Sequence, residues 1–160
     1  MYILFENFRN VDTYFMQRLM AMAVRGEWVH CEIVFNEKNN VRASAWDKSG
    51  VEFRNWEYIH YPERFELYPL PSEYWLEAYR ICQAQVGTKY DRLGVIGMMY
   101  KIPVFNNERN FCSKLCYETI QNYTSLDLPI ERSSLVTPLM MRRMIINQGI
   151  KPVPLSVLNQ

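Results

Sequence analysis

Trp28-Val-His-Cys-Glu-Ile-Val-Phe35 is a run of eight residues dense in β-branched and aromatic side chains, the composition that suits a pleated, half-buried strand. The polar cluster Asn36 to Asn40 predicts a turn, and Val41 to Trp46 reads as the returning strand. Side chains alternate along a strand, so His30, Glu32 and Val34 share one face while Cys31, Ile33 and Phe35 take the other. One of only two histidines in the chain is thereby placed beside a carboxylate.

Outward from this hairpin, Met1 to Glu6 reads as a strand, and Asp12 is positioned to cap a helix. The apolar positions of that helix, Phe15, Met16, Leu19, Met20, Ala23 and Val24, recur at helical spacing until Gly26. A turn from Asp47 to Gly50 leads to strands over 51–56 and 64–68. Ser72 is a second candidate cap, before a stripe of Trp75, Tyr79, Cys82 and Val86 that stops at Gly87. Residues 88–110 read as a loop with a short helix over 95–100. A third helix begins near Asn110 or Phe111 and carries Cys112, Leu115, Cys116, Thr119 and Ile120. A fourth follows Thr137-Pro138, a cap with proline in the first helical position, and runs to Gly149. Four or five strands in the first half and three helices in the second suit an α+β fold, a small antiparallel sheet packed on helices.

The chain has 160 residues, 49% of them hydrophobic, which fits one domain spanning 1–160. Its formal net charge of +1 supplies no global field, so nucleic acid is not expected as a partner. No apolar run approaches the ~18 residues that cross a bilayer. The N-terminus lacks a basic start and a small-residue cleavage site, so a soluble cytoplasmic protein is expected. Four cysteines, Cys31, Cys82, Cys112 and Cys116, are too few for a disulfide scaffold and should stay reduced there.

A base that works near neutral pH must be His30 or His60. His60, in Tyr58-Ile-His-Tyr-Pro62, has no acid beside it and reads as structural. His30 has Glu32, which could fix the ring's tautomer and stabilise the imidazolium. The bland reading is an ordinary polar pair on a wet sheet face. Cys112 falls in the first turn of a helix, where unpaired amides and the dipole favour a thiolate. Its bland reading is a small buried apolar residue. Cys82 and Cys116 read as core.

Trp28 to Phe35, then Gly87-Thr-Lys-Tyr-Asp91, then Phe111-Cys-Ser-Lys-Leu-Cys116, then Thr137-Pro138, in that order, resemble the permuted branch of the NlpC/p-sixty superfamily. Its bacterial, phage and poxvirus members are papain-like, with the histidine strand placed before the cysteine helix. The resemblance implies a circularly permuted papain-like domain and a cysteine peptidase or amidase. It makes Cys112 the nucleophile, His30 the base and Tyr90 a hydroxyl lining the site, although Tyr90 also suits a packing role before a turn. No cofactor and no metal are expected. The substrate is expected to be a peptide, a peptidoglycan peptide or an acyl lipid, and a phage or viral source would add the virion or host cytoplasm as locations. Two positions depart from the pattern. Val29 replaces a small polar residue, and Ser44 stands where many relatives carry the third catalytic acid. Glu32 is therefore the expected acid, with Ser44 in support and Asp47 as the rival if the hairpin register turns it toward His30.

Two other readings compete. Cys112 and Cys116, four apart on one helix, together with His30 and Glu32, are ligand types that zinc accepts. A papain-like module without catalysis, serving in binding or in a virion, is the other, and Ser44 is its best support.

Overall fold

The structure, a computed structural model, describes residues 1–7, 21, 26–55, 62–103, 108–129 and 131–159. The helix expected between Asp12 and Gly26, and His60, lie outside these bounds apart from a few residues. Five strands, β1 (Tyr2–Asn7), β2 (Trp28–Phe35), β3 (Val41–Trp46), β4 (Gly50–Arg54) and β5 (Phe65–Pro69), form one antiparallel sheet in the order β4-β3-β2-β1-β5. Among the described residues there are four α-helices, α1 (Trp75–Ala84), α2 (Arg92–Met99), α3 (Cys112–Tyr123) and α4 (Pro138–Asn147). The architecture is α+β, as the order of patterns predicts. None of these helices is long and apolar enough to cross a membrane.

The sheet has one oily face. Ile3, Phe5, Cys31, Ile33, Phe35, Ala43 and Tyr68 point from it into a core completed by Ala78 and Cys82 of α1, Cys116 and Ile120 of α3, and Met141 and Ile145 of α4. Helix α3 runs through the centre of this layer, and Cys112 to Tyr117 are all buried. A helix covered on every side must satisfy its polar groups internally. Ser113 Oγ donates to the Val136 carbonyl at 2.6 Å, Thr119 to its own Leu115 carbonyl at 2.8 Å, and the Tyr117 hydroxyl to the Pro129 carbonyl at 2.8 Å. The amphipathic pattern of α3 is thus obscured in the sequence by polar residues that are buried and bonded.

The opposite face is divided. At one end the C-terminal segment covers Leu4, Val34 and Leu67 with Leu155, Val157 and Leu158, tied by the Val153 amide to the Leu67 carbonyl at 2.8 Å. The other end carries His30, Glu32, Arg42, Ser44 and Trp46.

Several boundaries differ from expectation. Ser72 does not cap α1. The helix starts at Trp75 behind Tyr74, which gives no side-chain cap, and Val86 lies beyond its end and is exposed. The expected loop 88–110 holds a full helix, because Asp91 accepts the Gly94 amide at 2.9 Å and starts α2 at Arg92, earlier than apolar spacing suggests. Two short strands absent from the sequence reading, β6 (Lys89–Tyr90) and β7 (Arg109–Asn110), pair in parallel and close the base of that segment. Thr137 caps α4 as expected, accepting the Met140 amide at 3.0 Å. Gly50 has φ +77 in the turn after Asp47, and a Cβ there would lie 2.1 Å from the Thr88 carbonyl oxygen. Only glycine lets β4 approach the chain before β6 this closely.

Candidate active site

The β2–β3 ladder pairs Phe35 with Val41, Val34 with Arg42 and Ile33 with Ala43, then stops, although β2 continues back to Trp28 and β3 on to Trp46. Beyond Ile33 the two strands share no further backbone pairing. Cys31 is the next residue whose backbone groups turn toward β3. Its carbonyl accepts the Ser44 hydroxyl at 2.8 Å, and its amide is directed at the sulfur of Cys112. The first residue of α3 is thus fitted where the ladder gives out. On the other side of β2, pairing with β1 shifts register between Glu6 and Asn7, with His30 opposite Glu6 and Trp28 opposite Asn7. Such a bulge re-aims side chains near the end of a strand.

Four groups converge on this point. Cys112 is wholly buried, with 0% of its surface exposed, and His30 has 7%. The groups that act on this thiol are the Cys31 thiol and amide and the His30 ring. The Cys31 contact, acting against burial and joined by the His30 charge, holds the Cys112 thiol well below the ordinary thiol range. Burial by itself would lower the proton affinity of His30. The adjacent thiolate and Glu32 outweigh it, and His30 is raised well above its ordinary value. Burial pushes the Cys31 thiol far upward, so it is the partner that keeps its proton.

Glu32 lies on the His30 face, as strand alternation requires. Its Oε1 is 3.5 Å from His30 Nε2, an ion-pair distance longer than a good hydrogen bond, and Nε2 makes no other bond. The carboxylate is held instead by Arg42, whose Nη1 donates to Oε1 at 3.2 Å and to Oε2 at 3.0 Å. Burial would raise the Glu32 carboxyl, but His30 and Arg42 overcome it and keep it below its usual range. Trp46 packs its ring 5.8 Å from the imidazole, and the Arg54 guanidinium lies 4.0 Å over that same indole.

The other expected residues fall out as follows. Ser44 is buried and bonded to the Cys31 carbonyl, so it supports the strand and not the imidazole. Asp47 is bound by Arg92 Nε at 2.7 Å. The ring of Tyr90 packs against Ala45, Val51 and Leu115. Burial, followed by the Cys112 charge, raises its hydroxyl well above the ordinary value. Cys82 is core, its sulfur 3.7 Å from Thr119 Oγ1, and burial pushes it up to about 12. Cys116 is buried next to Cys31. Among the described residues no group of three or more His, Cys, Asp or Glu side chains is arranged to hold a metal ion, so the zinc reading finds no ligand set there.

Three members of the site are missing from the sequence reading. Glu6 stands directly across the ladder from His30, its carboxylate 2.9 Å from Arg64 Nη2, and burial raises its pKa against the pull of His30 and Arg64. Arg42 and Cys31 are the other two. Alternation along β2 could place Glu32 near His30, but only the β1–β2 register could place Glu6 there.

Comparison with models of known families gives no match, and comparison with curated proteins gives none.

Proposed function

We propose that this chain is a cysteine hydrolase that cleaves an amide or ester through a thiol acyl-enzyme, with the permuted papain-like organisation that its ordered motifs resemble. One observation carries the reading: the Cys112 thiol, buried at the start of a helix, and the buried His30 ring act on each other so that the thiol is lowered and the imidazole raised, in the sense of a thiolate and an imidazolium. Nε2 faces Glu32, so Nδ1 is the nitrogen assigned to the thiol.

In this mechanism the Cys112 thiolate attacks the carbonyl carbon and a C–S bond forms as the carbonyl π electrons move to oxygen. The oxyanion is received by first-turn amides of α3, which have no acceptor within the helix. Collapse re-forms the carbonyl and expels the leaving group, which takes the proton from His30. Water, deprotonated by His30, then attacks the thioester, and Cys112 departs as thiolate. Glu32 holds the ring and offsets its charge, and Arg42 holds Glu32. Tyr90 lines the site beside the sulfur. The substrate is a peptide, a peptidoglycan peptide or an acyl lipid, the classes that the resembling family handles.

A second reading, an inert module on the same framework, draws on the complete burial of Cys112, since a nucleophile without exposed surface cannot meet a substrate unless its cover moves. An acyl-donor probe that reacts with thiolates separates the two. The hydrolase reading expects Cys112 to be labelled faster than Cys31, Cys82 and Cys116 at neutral pH, with the labelling lost in Cys112→Ala. Slow, equal labelling of all four would discard it in favour of the inert module.

A further inference from the structure

Helix α2 presents an oily stripe to solvent. Gly94, Val95, Gly97 and Met98 turn inward, while Leu93 is 65% exposed, Ile96 41%, Tyr100 71% and Ile102 60%. Positions 93, 96 and 100 fall on one face at helical spacing, and Ile102 follows directly, its amide bound to the Gly97 carbonyl at 2.8 Å. Half of the exposed large hydrophobic residues of the described chain lie in this one span, which makes a patch and not scattered exposure.

The exposed charges within the stripe itself are cationic. Residues 92–103 contain Arg92 and Lys101 and no acid, and Lys89 is exposed just before them. Two acids touch the span: Asp91, buried, accepts the Gly94 amide, and Asp47 pairs with Arg92, which leaves Lys89 and Lys101 as the exposed cations beside the stripe. A stripe of this width offers on the order of 400 Å², about half of the ~800 Å² per partner that a stable protein interface uses. A second copy would also bring cation against cation. An apolar strip with a cationic border is complementary to a bilayer whose interior is apolar and whose headgroups are negative.

We propose that the outward face of α2, through Leu93, Ile96, Tyr100 and Ile102 with Lys101 at its border, docks the protein onto an anionic lipid surface. The net charge of +1 gives no long-range attraction, so adhesion is local, reversible and dependent on both the apolar side chains and the border cations. The pairing of β6 with β7 returns the span to Asn110, two residues before Cys112, so the docking face and the candidate nucleophile share one scaffold. The proposal goes beyond the hydrolase reading and does not require it.

Co-sedimentation of the full chain with vesicles of phosphatidylcholine alone, and with phosphatidylglycerol added, tests it. Binding is expected to the anionic vesicles, severalfold weaker to neutral ones and weaker again at high salt. Leu93→Ser with Tyr100→Ser should abolish binding, and Lys101→Glu should weaken it severalfold. These side chains face solvent, and circular dichroism checks that the fold is kept. No binding to either vesicle, or binding indifferent to these substitutions, overturns the proposal. So does a dimer in sedimentation that the Leu93→Ser, Tyr100→Ser variant dissolves, since a second copy would then occupy the face. Labelling of Cys112 is read separately, so failure here leaves the hydrolase reading intact, and the reverse holds.

Discussion

The seam between β2 and β3 has two ends built to different rules. From Phe35 to Ile33 the strands are zipped, with Ile33, Phe35 and Ala43 buried against the helices. From Glu32 to Trp28 the backbone pairing ends, and a thiol, an imidazole, two carboxylates and an arginine gather around this stretch of β2. One end is held by apolar burial and the other by a charge network that is expensive to desolvate and in which His30 Nε2 and Arg42 Nε are left without a hydrogen bond. The contrast teaches that the candidate site is not an addition to the sheet. It is the part of the sheet where pairing is given up so that a helix start can meet a strand.

The contrast can be broken or sharpened by experiment. The largest effect is expected for Cys112→Ala, which should lower turnover by roughly a thousandfold or more while moving the urea midpoint little. A variant that loses structure instead would make Cys112 a packing residue. Next, Glu32→Ala strips Arg42 of its buried partner and should cost about 3–5 kcal/mol by urea unfolding. Ile33→Ala, at the zipped end, should cost about 2–5 kcal/mol yet leave the thiolate absorbance near 240 nm unchanged in the folded protein. If that absorbance fell as in a His30 variant, the two ends would not be separable.

The smallest effects concern the two carboxylates that flank His30, and they should have opposite pH signs. The Glu32 carboxyl is lowered by folding, so its stabilisation is present above the ordinary carboxyl value of about 4.3 and is lost as pH falls through the folded value. The deficit of Glu32→Gln relative to the parent should therefore grow as pH rises through that window. The Glu6 carboxyl is raised, so its stabilisation is full below about 4.3 and is lost as pH rises through its folded value. Glu6→Gln should gain on the parent over that rise. Parallel slopes in urea titrations of the two variants would show that the carboxylates are not differently placed.

The site itself should titrate as a pair. Cys112 is lowered and His30 raised, so thiolate absorbance should persist below the ordinary thiol value of about 8.5 and vanish only on acidification through the lowered midpoint. His30→Gln should move that midpoint up. An unshifted midpoint would mean that the imidazole does not stabilise the thiolate.

Much of this was legible in the residues themselves. Alternation fixed His30 and Glu32 on one face, the turn at Asn36 to Asn40 set the hairpin, and Thr137-Pro138 marked the start of α4, because each depends on neighbours within a few positions. Asp91 as the cap of α2 is equally local, but Gly94 and Gly97 argue for a loop until the close fit of Gly94 against Asp91 and the burial of both glycines are known. Local chemistry therefore determined the α+β order of elements and one half of the site. Tertiary structure alone decided that the β2–β3 ladder ends at Ile33, that Cys112 enters there, and that Glu6 and Arg42 join His30 and Glu32. Those are meetings between residues far apart in the chain, and they are set by strand register and by where a buried helix can begin, quantities that no short window of sequence contains.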